Sequence, residues 1–210
     1  RPVRLLIVLA LLGSGTPSQA TRAPCQADPP LPHEFTQIHM GMAVRIRLYA
    51  ATEDHARTAA TAAFTRMAEL DRMMSDYRPD SELRRLGAGG SSWSVVSPDL
   101  FAVLERARTI ASSTGGAFDP TVGPLVAIWR DARQRGQLPD RAAVDRARQQ
   151  VGWRHLHLDT SRQAARLGRP GMRLDLGGVA KGYIIQQGLE AMAALGVTRA
   201  LVEAGGDLVV

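Results

Sequence analysis

One stretch, Arg173-Leu174-Asp175-Leu176-Gly177-Gly178-Val179-Ala180-Lys181-Gly182-Tyr183, constrains the fold of this chain more than any other. Met172, Leu174 and Leu176 alternate with polar residues, which is the period of a strand. Two glycines interrupt the pattern. Ile185, Leu189 and Met192 then follow at helical spacing until Gly196. The spacing predicts a strand, Met172 to Leu176, that turns sharply into a helix over 179–195. Such a turn leaves backbone N–H groups unpaired at the positive end of the helix dipole, and glycines let a ligand approach the backbone. Asp175 precedes the turn and Lys181 follows it. Lys181 is the only lysine among 26 basic residues, in a chain that otherwise uses arginine for its cations. The same letters also suit a plain strand end with a solvated lysine. They match neither a Walker loop nor G-x-G-x-x-G.

With 210 residues, 45% of them hydrophobic, the chain can bury a core as one large or two small domains. Its formal charge of +6 is spread over single arginines. That permits an acidic partner, but no basic run interleaved with aromatics and no zinc-finger spacing points to nucleic acid. Arg1 and Arg4, the apolar run Leu5 to Leu12 and the small residues ending at Ala20 read as a signal peptide over 1–20. The expected location is therefore exported, periplasmic or inner-membrane-facing, with peripheral membrane association compatible. Cys25 stands alone, and Arg22-Ala23-Pro24 before it is a poor context for lipid attachment. Residues 21–34 read as a Pro-rich linker, with the domain running from 35 to 210.

Within that domain Val44, Ile46 and Leu48 alternate as a half-buried strand opened by Met40-Gly41. Ala56, Ala60, Ala63, Phe64, Met67, Leu70 and Met74 keep a helical rhythm over 53–74. Pro79 closes that helix and leaves Tyr77 on a loop, where it can stack on an aromatic ligand or simply cover the helix end. Ser97-Pro98-Asp99 reads as a helix start, and Gly115-Gly116 as its stop. Ala117 to Pro124 is a turn-rich loop whose Asp119 suits an Asx turn. Short helices are expected over 125–133 and 140–150. Trp153 to Asp159 alternates as a strand, on which His155 and His157 share a side but lack a third metal ligand nearby. A strand from Ala200 to Glu203 ends in Ala204-Gly205-Gly206-Asp207. Strand, helix and strand with glycines at both turns predict a crossover unit.

Taken together, five blocks in order resemble the FAD:protein FMN transferases, the ApbE family. They are Met40-Gly41; Ser75-x-Tyr77 with Ser81-Glu82-Leu83; Gly116 through Leu125; Asp175 through Tyr183; and Glu203-Ala204-Gly205-Gly206-Asp207. The resemblance runs from Met40 to Val210 and implies an α+β, T-fold-like architecture. It implies Mg²⁺-dependent movement of the FMN half of FAD onto a Thr or Ser hydroxyl of a target flavoprotein, with release of AMP. Implied FAD contacts fall at Met40, Tyr77, Ala117, Phe118, Asp119, Gly177 and Tyr183. An implied Mg²⁺ contact, through a backbone carbonyl, falls at Ala180, and Asp175 and Lys181 match positions lining the catalytic site. The family's side-chain metal ligands, an Asp and a Thr or Ser, are expected beyond Val210, so the chain is expected to be a C-terminally truncated member that lacks activity on its own. Hydrolysis of FAD to FMN and AMP, and FAD binding without turnover, are the alternatives.

Overall fold

The computed structural model describes residues 29–210; the expected signal peptide, Cys25 and the first part of the linker lie outside the described residues. The elements are β1 (Leu31–His39), β2 (Met42–Ala50), α1 (Glu53–Met74), α2 (Glu82–Ala88), β3 (Ser94–Val95), α3 (Pro98–Ser113), α4 (Gly123–Arg135), α5 (Arg141–Arg148), β4 (Leu156–Asp159), β5 (Ala164–Leu167), α6 (Ala180–Ala193), β6 (Ala200–Ala204) and β7 (Asp207–Val209). One antiparallel sheet has the order β1-β2-β6-β7, and a smaller one has β3-β5-β4. The architecture is α+β, as the family resemblance implies.

β1 and β2 form a hairpin whose closing pair is His39 with Met42. Its two turn residues, Met40 and Gly41, both have positive φ, 53° and 74°. A two-residue hairpin with positive φ at both centres matches the right-handed twist of its strands. β1 begins at Leu31, so residues 31–34 of the Pro-rich stretch belong to a strand.

The inward faces follow from the sequence periods. Val44, Ile46 and Leu48 of β2 are fully buried while Arg45 and Arg47 face out. Ala56, Ala60, Ala63, Met67, Leu70 and Met74 form the buried stripe of α1. This stripe packs on β2 and on the Ile184, Ile185 and Met192 face of α6, in one core that also takes in Leu156, Ala165 and Leu167 of the smaller sheet. Burial of each large aliphatic side chain contributes about 1.5–3 kcal/mol. The helices start where side-chain oxygens accept free N–H groups: Thr52 from His55, Ser81 from Arg84, Ser97 from Leu100 and Asp140 from Ala143.

Three expectations are corrected. Met172 to Leu176 does not form a strand in a sheet. The segment is extended and buries Met172, Leu174 and Leu176, but it makes only a single parallel bridge, Val122 to Arg173. Pro120 and Pro124 flank Val122 and have no N–H to offer, so a ladder cannot continue there. The period was real; it reported an extended chain with one buried side. The crossover unit consequently does not form, and β6 pairs antiparallel with β2 and β7. Third, residues 153–155 form a 3-10 turn, so only His157 of the histidine pair stands on strand β4.

The bridge at Val122 depends on the next residue. A methyl group on Gly123 would stand 2.7 Å from the Arg173 carbonyl oxygen, a backbone atom that cannot rotate away. Gly123→Ala is expected to destabilise the fold by about 1–3 kcal/mol through overpacking. At this chain length that lowers Tm by roughly 2–4 °C per kcal/mol in a thermal melt. An unchanged Tm would contradict the close packing.

Candidate active site

Three separated pieces of chain meet at one cleft of about 720 Å³. The β1–β2 turn contributes Met40, Gly41 and Met42. The end of α1 and its loop contribute Asp71, Met74 and residues 75–78. The start of α6 and the turn before it contribute Leu176, Gly177, Ala180, Lys181 and Ile184. The volume is within the range of small-molecule sites.

Met40 sits in the left-handed region, which is unfavourable for a residue with a Cβ. Its N–H donates to Asp71 Oδ2 at 3.2 Å, which helps hold the turn against that strain. His39 beside it stacks on Phe64 with ring centroids 5.3 Å apart. Burial holds the His39 imidazole below its ordinary pKa, against the opposing charge of Asp71.

Tyr77 lies on the loop after α1 and is 76% exposed. The Arg130 guanidinium, from α4, stands 4.0 Å from the centroid of its ring. Arg130 also pairs with Asp76 and, at 3.4 Å, with Asp175 Oδ2. Burial works against its charge, but the hydrogen bond and charge of Asp76, with Tyr77 and Asp175 behind them, outweigh it and hold the guanidinium pKa above its usual value.

Asp175 uses its other oxygen to accept the Gly177 N–H at 2.9 Å. This bond shapes the turn into α6. Among the described residues no side chain caps α6, whose N-cap position is Val179. Its first turn therefore presents a helix N-terminus to the cleft, with Lys181 alongside. Lys181 Nζ is 2.9 Å from Asp207 Oδ2, a contact that joins α6 to the β6–β7 turn.

Asp175 and the remaining expected residues stand outside the cleft lining. Asp119 Oδ1 accepts from the Thr121 N–H at 2.8 Å, an Asx turn, and from the Thr121 hydroxyl; Oδ2 accepts from the Trp153 N–H at 2.9 Å. The Phe118 ring lies against the glycine turn, so a methyl group on Gly178 would stand 3.0 Å from it. Ala117 donates its N–H to Thr114 O and closes the turn after α3. Tyr183 faces away. Its hydroxyl donates to Asp99 at 2.7 Å, and Asp99 is held in turn by Arg66 at 2.5 Å. Sequence reasoning missed Arg130, Asp71 and Asp76. Asp76 is the unspecified position of Ser75-x-Tyr77; Arg130 reads as an ordinary surface residue of a short helix.

The residues do not make a metal centre by themselves. Among the described residues there is no group of three His, Cys, Asp or Glu side chains able to hold a metal ion. The cleft carboxylates Asp71 and Asp76 are engaged by a backbone N–H and by Arg130; beside the cleft, Asp175 is engaged by both, and Asp207 by Lys181. Ala180 is in the cleft wall, where its carbonyl would be one oxygen donor of a larger set.

A model of the ApbE family matches residues 40–210, the span that contains every part of this cleft. The chain belongs to the ApbE family. The FAD:protein FMN transferase of Treponema pallidum is 34% identical over 181 residues, covering 82% of this chain and 49% of that protein. That of Salmonella typhimurium is 31% identical over 175 residues, covering 80% and 50%. The crystal structure of the ApbE protein from Thermotoga maritima superposes with a TM-score of 0.76 at 27% identity, covering 85% of this chain and 58% of that one. The apo form of the flavinyl transferase ApbE from Pseudomonas stutzeri gives 0.76 at 25%, covering 86% and 60%. The chain spans about half the length of these curated relatives. This ApbE-type fold accordingly carries the cleft on matched sequence throughout.

Burial first, and then the Asp99 bond, push the Tyr183 phenol up to about 12 from 10.0. Because the folded-state value is the higher one, the stability it contributes is complete below pH 10, the ordinary phenol value, and is lost as pH rises toward 12. In a near-ultraviolet absorbance titration one phenol should ionise late, and that late step should be missing from Tyr183→Phe.

Proposed function

We propose that the full-length protein moves the FMN half of FAD onto a Thr or Ser hydroxyl of a target flavoprotein and releases AMP. The observation that carries this reading is the convergence of Met40, Tyr77, Gly177, Ala180 and Lys181 on one cleft of an ApbE-family fold. In the reaction the acceptor oxygen forms a bond to the FMN phosphorus. The bridging P–O bond to AMP breaks, the hydroxyl proton is lost, and the electron pair leaves with AMP.

Each residue has a part that its position supports. The exposed ring of Tyr77 stacks on an aromatic portion of FAD. The turn at Gly177-Gly178 and the start of α6 receive the pyrophosphate, where the helix dipole favours negative charge; the Gly177 N–H is already given to Asp175, and those of Val179 and Ala180 to the Leu176 carbonyl. Lys181 adds a cation at the same place. Asp175, with both oxygens engaged, holds the turn in shape, which suits its contacts better than proton abstraction does. A Mg²⁺ ion at the Ala180 carbonyl would neutralise charge developing on the bridging phosphate. Its remaining ligands would have to come from outside the described residues. Export belongs to the same proposal, supported by the charged start, apolar run and small residues of 1–20; among the described residues no helix is long and apolar enough to cross a membrane.

Incubating the full-length protein with FAD, Mg²⁺ and a Thr-bearing flavoprotein should leave flavin fluorescence on the denatured acceptor band, and a chelator should abolish it. Free FMN without a labelled band would mean hydrolysis instead. FAD bound and recovered intact would mean a binding protein.

A further inference from the structure

Tyr77 is one of the most exposed aromatic side chains among the described residues, yet its ring is not bare. Arg130 covers one of its faces at 4.0 Å. Arg130 is itself held at two points, by Asp76 next to Tyr77 and by Asp175 Oδ2 at 3.4 Å. One side chain of α4 thus ties the 75–78 loop to the turn that starts α6. Tyr77 belongs to the cleft wall and Arg130 stands behind it.

We infer that Arg130 is a positioning residue that presents Tyr77 as a preset stacking platform with one open face, for the aromatic ring of the ligand in this cleft. The inference rests on the FAD reading above for the identity of that ring. Its physics is general. An exposed tyrosine on a loop samples several rotamers, and fixing one on binding costs affinity; fixing it beforehand removes that cost. The planar guanidinium suits the task because it stacks flat on a ring while its fork of N–H donors reaches two carboxylates. Lysine offers a point charge on a flexible stem and can do one of these things at a time. With Arg130 on one face, the ligand ring has only the other, which also fixes the side from which it enters.

The test uses the full-length protein, FAD without Mg²⁺ or acceptor, and flavin fluorescence to read Kd, so that no chemistry intervenes. Arg130→Ala and the better-filling Arg130→Gln should each weaken FAD binding on the order of tenfold. Arg130→Lys should restore only part of it. In a Tyr77→Ala background the same Arg130 substitutions should change Kd little, because the effect passes through the ring. An unchanged Kd, or an equal loss with and without Tyr77, would overturn the inference. Amide hydrogen exchange in the ligand-free protein separates this idea from the FAD reading. Residues 75–78 should exchange faster in Arg130→Gln than in the wild type. If the wild type binds no FAD, the FAD reading fails while faster exchange still supports the brace; unaltered exchange defeats the brace itself.

Discussion

The site depends on a seam where two irregular segments hold each other. Pro120 O accepts the Asp175 N–H at 2.8 Å, Val122 bridges Arg173, and Gly123 leaves the room for that approach. Asp119 locks the loop side from within, and its partner Thr121 is fully buried and accepts the Gly152 N–H at 2.8 Å. On the other side the seam sets where Asp175 and Gly177 stand and therefore where α6 begins. The loop also launches α4, and so places Arg130. Arg130 and one of its two anchors, Asp175, descend from this one join, which is why a stretch with two prolines and little regular structure matters to the cleft as the long helices do. Asp119, a residue matched to ligand contact by family resemblance, acts here on the architecture of that join.

The charges of the cleft are arranged in pairs. Although the chain carries a surplus of six positive charges, the cleft is bordered by acids each matched to a nearby donor. Isolated surface pairs contribute little stability. Here they mainly fix directions: Asp71 supports a strained turn residue, Asp175 bends the chain into α6, and Asp207 steadies the lysine at the helix start. Asp207 is half-exposed, so its hold on Lys181 is screened by water.

Legibility followed period and capping. The Ala and Met rhythm of α1, the alternation of β2, and the Ser97-Pro98 start of α3 are all where the sequence puts them, because burial and capping are local rules. The segment at 172–176 shows the limit of such rules: alternation reports which side is buried, while a sheet also needs a neighbour able to pair. β1 was hidden by Pro32 and by a mostly exposed burial pattern, and α2 by its shortness and by Gly87, Gly89 and Gly90 at its C-terminal end. In the site, Met40, Tyr77, Gly177, Ala180 and Lys181 do gather at the cleft. Tyr183 matches the family motif yet turns toward Asp99, since a motif fixes a position along α6 and leaves the rotation of the side chain to its neighbours. Arg130 had no short-range signal at all, because its partners lie on segments distant in sequence.

The order of the larger sheet has a kinetic side. β2 finds β6 only across most of the chain, Val44 opposite Ala204, while the cleft wall draws on the β1–β2 turn, the end of α1 and the start of α6. Closing such long loops is slow, and contacts of this range form late. During synthesis the β1–β2 hairpin and α1 therefore emerge with their apolar faces unpartnered, and the cleft comes into being only when α6 has been made and docks on α1. Conversely, loosening of the turn into α6 would open the cleft while the α1 core is still folded, so loss of the cleft and loss of helix need not coincide.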